Sequence, residues 1–137
     1  MTAPKIIIDT NIVSYLMRGS PESRAYAPHL TGKLVAISFI TVGELYYGAE
    51  KAKWGEKRRL RLKTSLKNFV VIPYDHEVAK RYGKVLAERN RLGRPISHND
   101  AWIAACAVRH GSPLVTHNEK DFDSISDLQI ISERSKK

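Results

Sequence analysis

Short apolar runs alternate with longer stretches of helical periodicity along this 137-residue chain. Lys5-Ile6-Ile7-Ile8 is a β-branched run that stops at Asp9, and it predicts a strand buried on both faces. Asp9-Thr10-Asn11 offers N-cap chemistry, and Ile12, Val13, Leu16 and Met17 continue at helical spacing to Gly19. Ser20-Pro21 opens a second helix, to about Leu30. Residues 34–39 predict the second strand, 41–53 a helix, 56–68 a further helix, and 69–72 the third strand, ended by Pro73. A long helix over 75–92 breaks at Gly93-Arg94-Pro95. An apolar helix covers 98–110, closed by Gly111, and residues 114–116 and 128–131 predict the fourth and fifth strands. The tail, 132–137, is polar and expected to fray.

Strands alternating with helices predict an α/β fold, a mainly parallel central sheet of about five strands flanked by helices. The length fits a single domain over 1–137, with a core over about 5–131. A hydrophobic content of 42% excludes a disordered chain. No apolar run approaches the ~18 residues of a membrane helix, and the Ile6-Ile7-Ile8 run is too short for a secretory signal. Cys106 is the only cysteine, which excludes a disulfide framework and a cysteine-rich zinc site. It fits a reducing compartment, and the expectation is a cytoplasmic protein without a membrane partner.

Charge adds a partner. The net charge is +9, and residues 1–94 hold 18 basic against 8 acidic side chains. The densest basic stretches are 51–67, which includes Lys57, Arg58, Arg59, Arg61 and Lys63, and 80–94, which includes Arg89. Leu60, Leu62, Leu66 and Phe69 interleave the first; Val78, Tyr82, Val85, Leu86 and Leu92 interleave the second. Both read as amphipathic helices with basic outer faces. A single such helix is most simply a solvated surface, but two in one small domain favour a phosphate-binding face.

Parallel sheets bind ligands beyond the carboxyl ends of their strands, so the acids placed there matter most. Asp9 follows the first strand. Glu44 falls in the first turn of the helix after the second, Asp100 in the first turn of the helix after Pro95, and Asp121 a few residues beyond the fourth strand. Each has a plainer reading: Asp9 as an N-cap, Thr41-Val42-Gly43-Glu44 and Ser97-His98-Asn99-Asp100 as capping boxes, Asp121 as the cap of a turn at Phe122. Together they make a coherent pocket. Clustered carboxylates repel, a divalent cation relieves that conflict, and oxygen-only ligation selects Mg²⁺ or Mn²⁺. A basic face beside an acidic metal pocket is a nuclease layout.

Four blocks then carry a resemblance. Ile8-Asp9-Thr10-Asn11, Ser38-Phe39-Ile40-Thr41-Val42-Gly43-Glu44-Leu45, Asn99-Asp100-Ala101-Trp102-Ile103-Ala104-Ala105 and Val115-Thr116-His117-Asn118-Glu119-Lys120-Asp121-Phe122 resemble, in order and spacing, the PIN-domain family and its VapC-type ribonuclease toxins of bacterial toxin–antitoxin pairs. The resemblance runs from about Lys5 to Ile131. It implies a metal-dependent endoribonuclease that inhibits translation or growth. Its acidic quartet maps onto Asp9, Glu44, Asp100 and Asp121. Its polar helpers map onto Asn11, Ser38, Thr41, Thr116 and Asn118, which would orient carboxylates or bound water. It further implies a homodimer, an antitoxin that wraps the toxin, and an RNA substrate such as transfer or ribosomal RNA. Position 117 is His where the family often has a basic residue such as Arg.

Two other readings stay open. One is a metal-free ribonuclease using His98 and His117 as base and acid. The other is a nucleic-acid-binding module whose acids only cap helices. Trp54, flanked by lysines, fits either a base-stacking or a packing role. Trp102 reads as core or dimer contact, and Cys106 as a small core residue.

Overall fold

The computed structural model describes residues 4–133. Five strands, β1 (Lys5–Ile8), β2 (Leu34–Ser38), β3 (Val70–Ile72), β4 (Leu114–Val115) and β5 (Ile130–Ile131), form one all-parallel sheet in the order β3-β2-β1-β4-β5. Six helices connect them: α1 (Thr10–Arg18), α2 (Pro21–Leu30), α3 (Phe39–Lys51), α4 (Glu56–Leu66), α5 (His76–Arg91) and α6 (His98–Arg109). A 3-10 turn at Glu119–Asp121 follows β4.

The central strand shows why the sheet is buried on both sides. Successive side chains of a strand point to opposite faces. Ile6 and Ile8 therefore pack with Ile12 and Val13 of α1, Tyr26 of α2 and Leu62 and Leu66 of α4. Ile7 packs on the other face with Val78 and Val85 of α5 and Ile103 and Ala104 of α6. The helix α6 can lie close against the sheet because Ala101, Ala104, Ala105, Cys106 and Ala107 are small and fully buried. It ends at Gly111, whose φ of +60° is left-handed and costs glycine little.

Three details depart from the sequence pattern. Leu60 and Leu92 are exposed, 64% and 57%, so neither belongs to the apolar faces assigned to them. Arg89, counted with a basic outer face, is only 4% exposed. The residues after β5 are also tied down as far as they are described. Glu133 donates its N–H to the Tyr26 hydroxyl at 3.0 Å and pairs with His29 at 2.9 Å. The rest of the tail expected to fray, 134–137, lies outside the described residues.

The strand order places the chemistry. From β1 the chain moves outward to β2 and β3, then returns through α5 and α6 to β4 on the opposite side of β1. The carboxyl ends of β1 and β4 thus flank the point where the winding reverses, and a crevice opens there.

Candidate active site

Asp9 and Thr116 occupy the two lips of that crevice. Asp9 is the N-cap of α1, and its Oδ1 accepts the Ile12 N–H at 3.0 Å. Its Oδ2 accepts the Thr116 hydroxyl at 2.5 Å. Capping therefore uses one oxygen while the other faces β4. Asn118 donates its N–H to Thr116 Oγ1 at 3.1 Å, which leaves the threonine proton for Asp9. Asp9 is 4% exposed, and desolvation pushes its pKa up. The hydrogen bonds from Thr116 and Ile12 oppose that rise, and the charges of Glu44 and Asp121 add to it.

Glu44 does not cap a helix. Ser38 caps α3 instead, its Oγ accepting the Ile40 N–H at 3.2 Å, so the helix starts at Phe39 and Glu44 falls in the second turn. There its Oε1 accepts the Thr10 hydroxyl at 2.6 Å. Thr10 also lies 3.0 Å from the buried Thr41 hydroxyl, so α1 and α3 meet through these side chains. Asp100 realises half of its capping box: Ser97 Oγ accepts the Asp100 N–H at 3.1 Å. Its carboxyl is pushed up to about 6, first by desolvation and then by the charges of Asp121, Glu44 and Asp9, against a hydrogen bond with Ser97.

Asp9, Thr10, Asn11, Glu44, Asp100 and Ile103 line one pocket of about 100 Å³. Asp121 is exposed at the end of the 3-10 turn and does not line this pocket, although its charge raises both Asp9 and Asp100. Arg89 fixes that turn from beneath. It donates from Nη1 to the Asp121 and Asp123 carbonyls at 3.1 and 3.0 Å, and from Nε to the Arg94 carbonyl at 2.7 Å. Among the described residues, no three of His, Cys, Asp or Glu form a ready-made metal cage. The donor chemistry nonetheless fits a hard divalent cation: oxygen ligands only, mutually repelling, two of them with raised pKa. Mg²⁺ in particular keeps several waters and needs only one or two carboxylates.

The remaining candidates divide. Ser38, fully buried, caps α3 and accepts the Cys106 thiol at 3.4 Å, so its described contacts lead to α6 and not to a carboxylate. Arg59 is spent on the α3–α4 turn: its Nε donates to the Trp54 carbonyl at 2.6 Å and its guanidinium pairs with Glu50. Arg58 and Arg61 line a groove beside the acidic pocket, whereas Lys57 and Lys63 are exposed and line neither. The two histidines belong to separate networks. His98 bonds Tyr82 of α5, and His117 Nδ1 bonds the Tyr26 hydroxyl of α2 at 2.7 Å. Trp102 stacks on Tyr82 with centroids 3.9 Å apart, and its edges meet Phe39 and Tyr74. The sequence reading missed Thr10, Arg89 and the Tyr26–His117 pair. Only Thr10 left a signal, since it stands between two assigned residues.

The fold and crevice define an α/β domain with an acid-lined site at the switch point of a parallel sheet. The PIN-domain model matches residues 6–128, and the chain belongs to that family. It is 35% identical over 126 residues to the Ribonuclease VapC2 of Haemophilus influenzae, covering 91% of this chain and 95% of that protein. It is 32% identical over 125 residues to the tRNA(fMet)-specific endonuclease VapC of Shigella flexneri, again 91% and 95% of the two chains. A chain in the crystal structure of VapBC2 from Rickettsia felis, bound to a DNA fragment from their promoter, superposes with a TM-score of 0.83. That match has 30% identity and covers 94% of this chain and 98% of that one.

Proposed function

We propose that this protein is a divalent-metal-dependent endoribonuclease that hydrolyses RNA phosphodiester bonds, the toxin of a toxin–antitoxin pair. The observation that carries the reading is the meeting of Asp9, Glu44 and Asp100 in one pocket, with Thr116 and Thr10 holding two of the three carboxylates. Asp9, Glu44, Asp100 and Asp121 would hold Mg²⁺ or Mn²⁺, directly or through water. Such an ion supplies an activated water and neutralises charge on a phosphate under in-line attack. The chain's own part is positional. Thr116 and the α1 N-terminus fix Asp9, Thr10 fixes Glu44, and Arg89 sets the turn bearing Asp121. Basic side chains beside the pocket attract the RNA backbone.

The named relatives support an RNA substrate, with transfer RNA the leading class, and the VapBC neighbour supports a cognate antitoxin. A homodimer is part of the same reading. No helix among the described residues is long and apolar enough to cross a membrane. The test is cleavage of total cellular RNA by antitoxin-free protein in Mg²⁺, Mn²⁺ or EDTA, beside Asp9→Asn. Discrete fragments that need metal and disappear in a folded Asp9→Asn variant are expected. Undiminished cleavage by that variant would sink the assignment, and cleavage persisting in EDTA would move the search to His98 and His117.

A further inference from the structure

A second concavity adjoins the acidic pocket. It runs between α1, α3 and α4, about 290 Å³ in its inner part and about 400 Å³ towards the outer end. Met17, Leu45, Trp54 and Leu62 give it an apolar floor, and Arg18 and Arg58 stand at its rim. Thr10 and Glu44 line both this groove and the acidic pocket, so the two are continuous. We propose that this groove is a nucleobase subsite, in which one unstacked base of the RNA lies against the Trp54–Arg58 pair while its backbone passes the carboxylates. The inference rests on the ribonuclease reading and adds a determinant of which bond is cut.

Three observations favour a base over other occupants. The first is a layered platform. The Arg58 guanidinium lies over the Trp54 ring, 4.2 Å from its centroid. A guanidinium plane accepts a stacked base as an aromatic ring does, and its charge meets the adjoining phosphate. The second is charge. Arg18, Arg58 and Arg61 are exposed at the rim, and among the described residues neither Arg58 nor Arg61 has a carboxylate partner, unlike Arg59. The third is the fixed position of Trp54. The α3–α4 turn passes through Lys53 at φ +55°, a conformation that costs a non-glycine residue about 1 kcal/mol. Arg59 braces the turn on the Trp54 and Ala49 carbonyls, and the Trp54 N–H donates to Ala49. The left-handed end of α3 and the Arg59 brace thus hold a half-buried tryptophan in place beside the acidic pocket.

The experiment uses the full chain in EDTA, where binding is read without cleavage, and single-stranded RNA hexamers of A, C, G or U as probes. The protein has two tryptophans, so quenching by the hexamers is compared in wild type and Trp54→Phe. Quenching in wild type that is largely lost in Trp54→Phe places the base on Trp54. Trp54→Ala should weaken binding by roughly 5- to 150-fold, the range of one base–aromatic stack, with an unchanged salt slope. Arg58→Ala should lower that slope by about one.

Gly48→Leu guards against a misfolded Trp54 variant. Gly48 lines the groove on an exposed helical face, and a Cβ there meets nothing within 4 Å. Leucine fills the groove and favours the helix, so this variant should fold, bind the hexamers more weakly and shift the cleavage-site pattern in Mg²⁺. If wild type cleaves RNA while Trp54→Ala and Gly48→Leu bind the hexamers and choose bonds as it does, the subsite is overturned and the groove is left to a polypeptide partner. If wild type neither binds nor cleaves RNA, the ribonuclease reading fails and the subsite falls with it.

Discussion

A single threonine shows how little material sets the site. Thr116 closes the Asp9 carboxylate from the far lip of the crevice, and the Asn118 N–H fixes the direction of its proton. Removing such an outer partner of a metal-binding group commonly costs 10- to 100-fold in affinity or activity, an order-of-magnitude expectation of about that size here. Thr116→Val, nearly the same shape without the hydroxyl donor, should weaken Mg²⁺ affinity or cleavage by that order, and Thr116→Ser should restore it. A titration of cleavage against Mg²⁺ checks this; a Thr116→Val curve superposable on wild type would remove the threonine from the site. Thr116 was legible only through the resemblance of the block 115–122, while its pairing with Asp9 depends on β4 lying beside β1. Arg89 was not. Its charge read as solvent-facing, and its role depends on the carbonyls of Asp121 and Asp123, brought in by a loop 32 and 34 residues away, together with that of Arg94.

At the scale of the element, the α3–α4 turn separates two arginines that look alike in sequence. Arg58 stands at a groove, while Arg59 points back to bond Trp54 and pair with Glu50. Arg59→Ala should therefore act on stability: loss of the two carbonyl contacts removes about 1–3 kcal/mol. The expected outcome is a lowered urea midpoint with an unchanged salt slope of RNA binding, the reverse of Arg58→Ala. The strands and helices themselves were legible to within two residues, because β-branched runs and 3.6-residue repeats dominate them. The start of α3 was the informative error. Ser38 can cap as well as Thr41, and only the packing of Phe39 and Ile40 against the core decides for Ser38. That two-residue shift changed Glu44 from a capping acid into a partner of Thr10.

For the molecule as a whole, the acids make stability depend on pH in an unusual direction. A carboxylate whose folded pKa is raised binds its proton more tightly when folded, so stability falls as pH rises from the unfolded value towards the folded one. For Asp100 the window runs from about 4 to about 6, and the raised Asp9 acts with the same sign. Burial holds His110 below its ordinary value and acts with the opposite sign, so the comparison is between variants: from pH 5 to pH 7 the metal-free wild type should lose more stability than Asp100→Asn does. Thermal melts of both proteins in EDTA at the two pH values measure it; an identical pH dependence would contradict the raised carboxyl. The convergence itself was only half legible. Periodicity predicts which strands precede the acids, but not the sheet order that sets β4 beside β1, nor that Asp121 stays outside the pocket the other three line.

The bond between Asp9 and Thr116 spans 107 positions of the chain. Synthesis runs from Asp9 towards Thr116, so a nascent polypeptide carries its foremost acid without the residue that orients it until 107 further positions have been added. The crevice has a second lip only after β4 has left the ribosome. The acid is thus made first, and it stands unoriented until the residue 107 positions later has followed it.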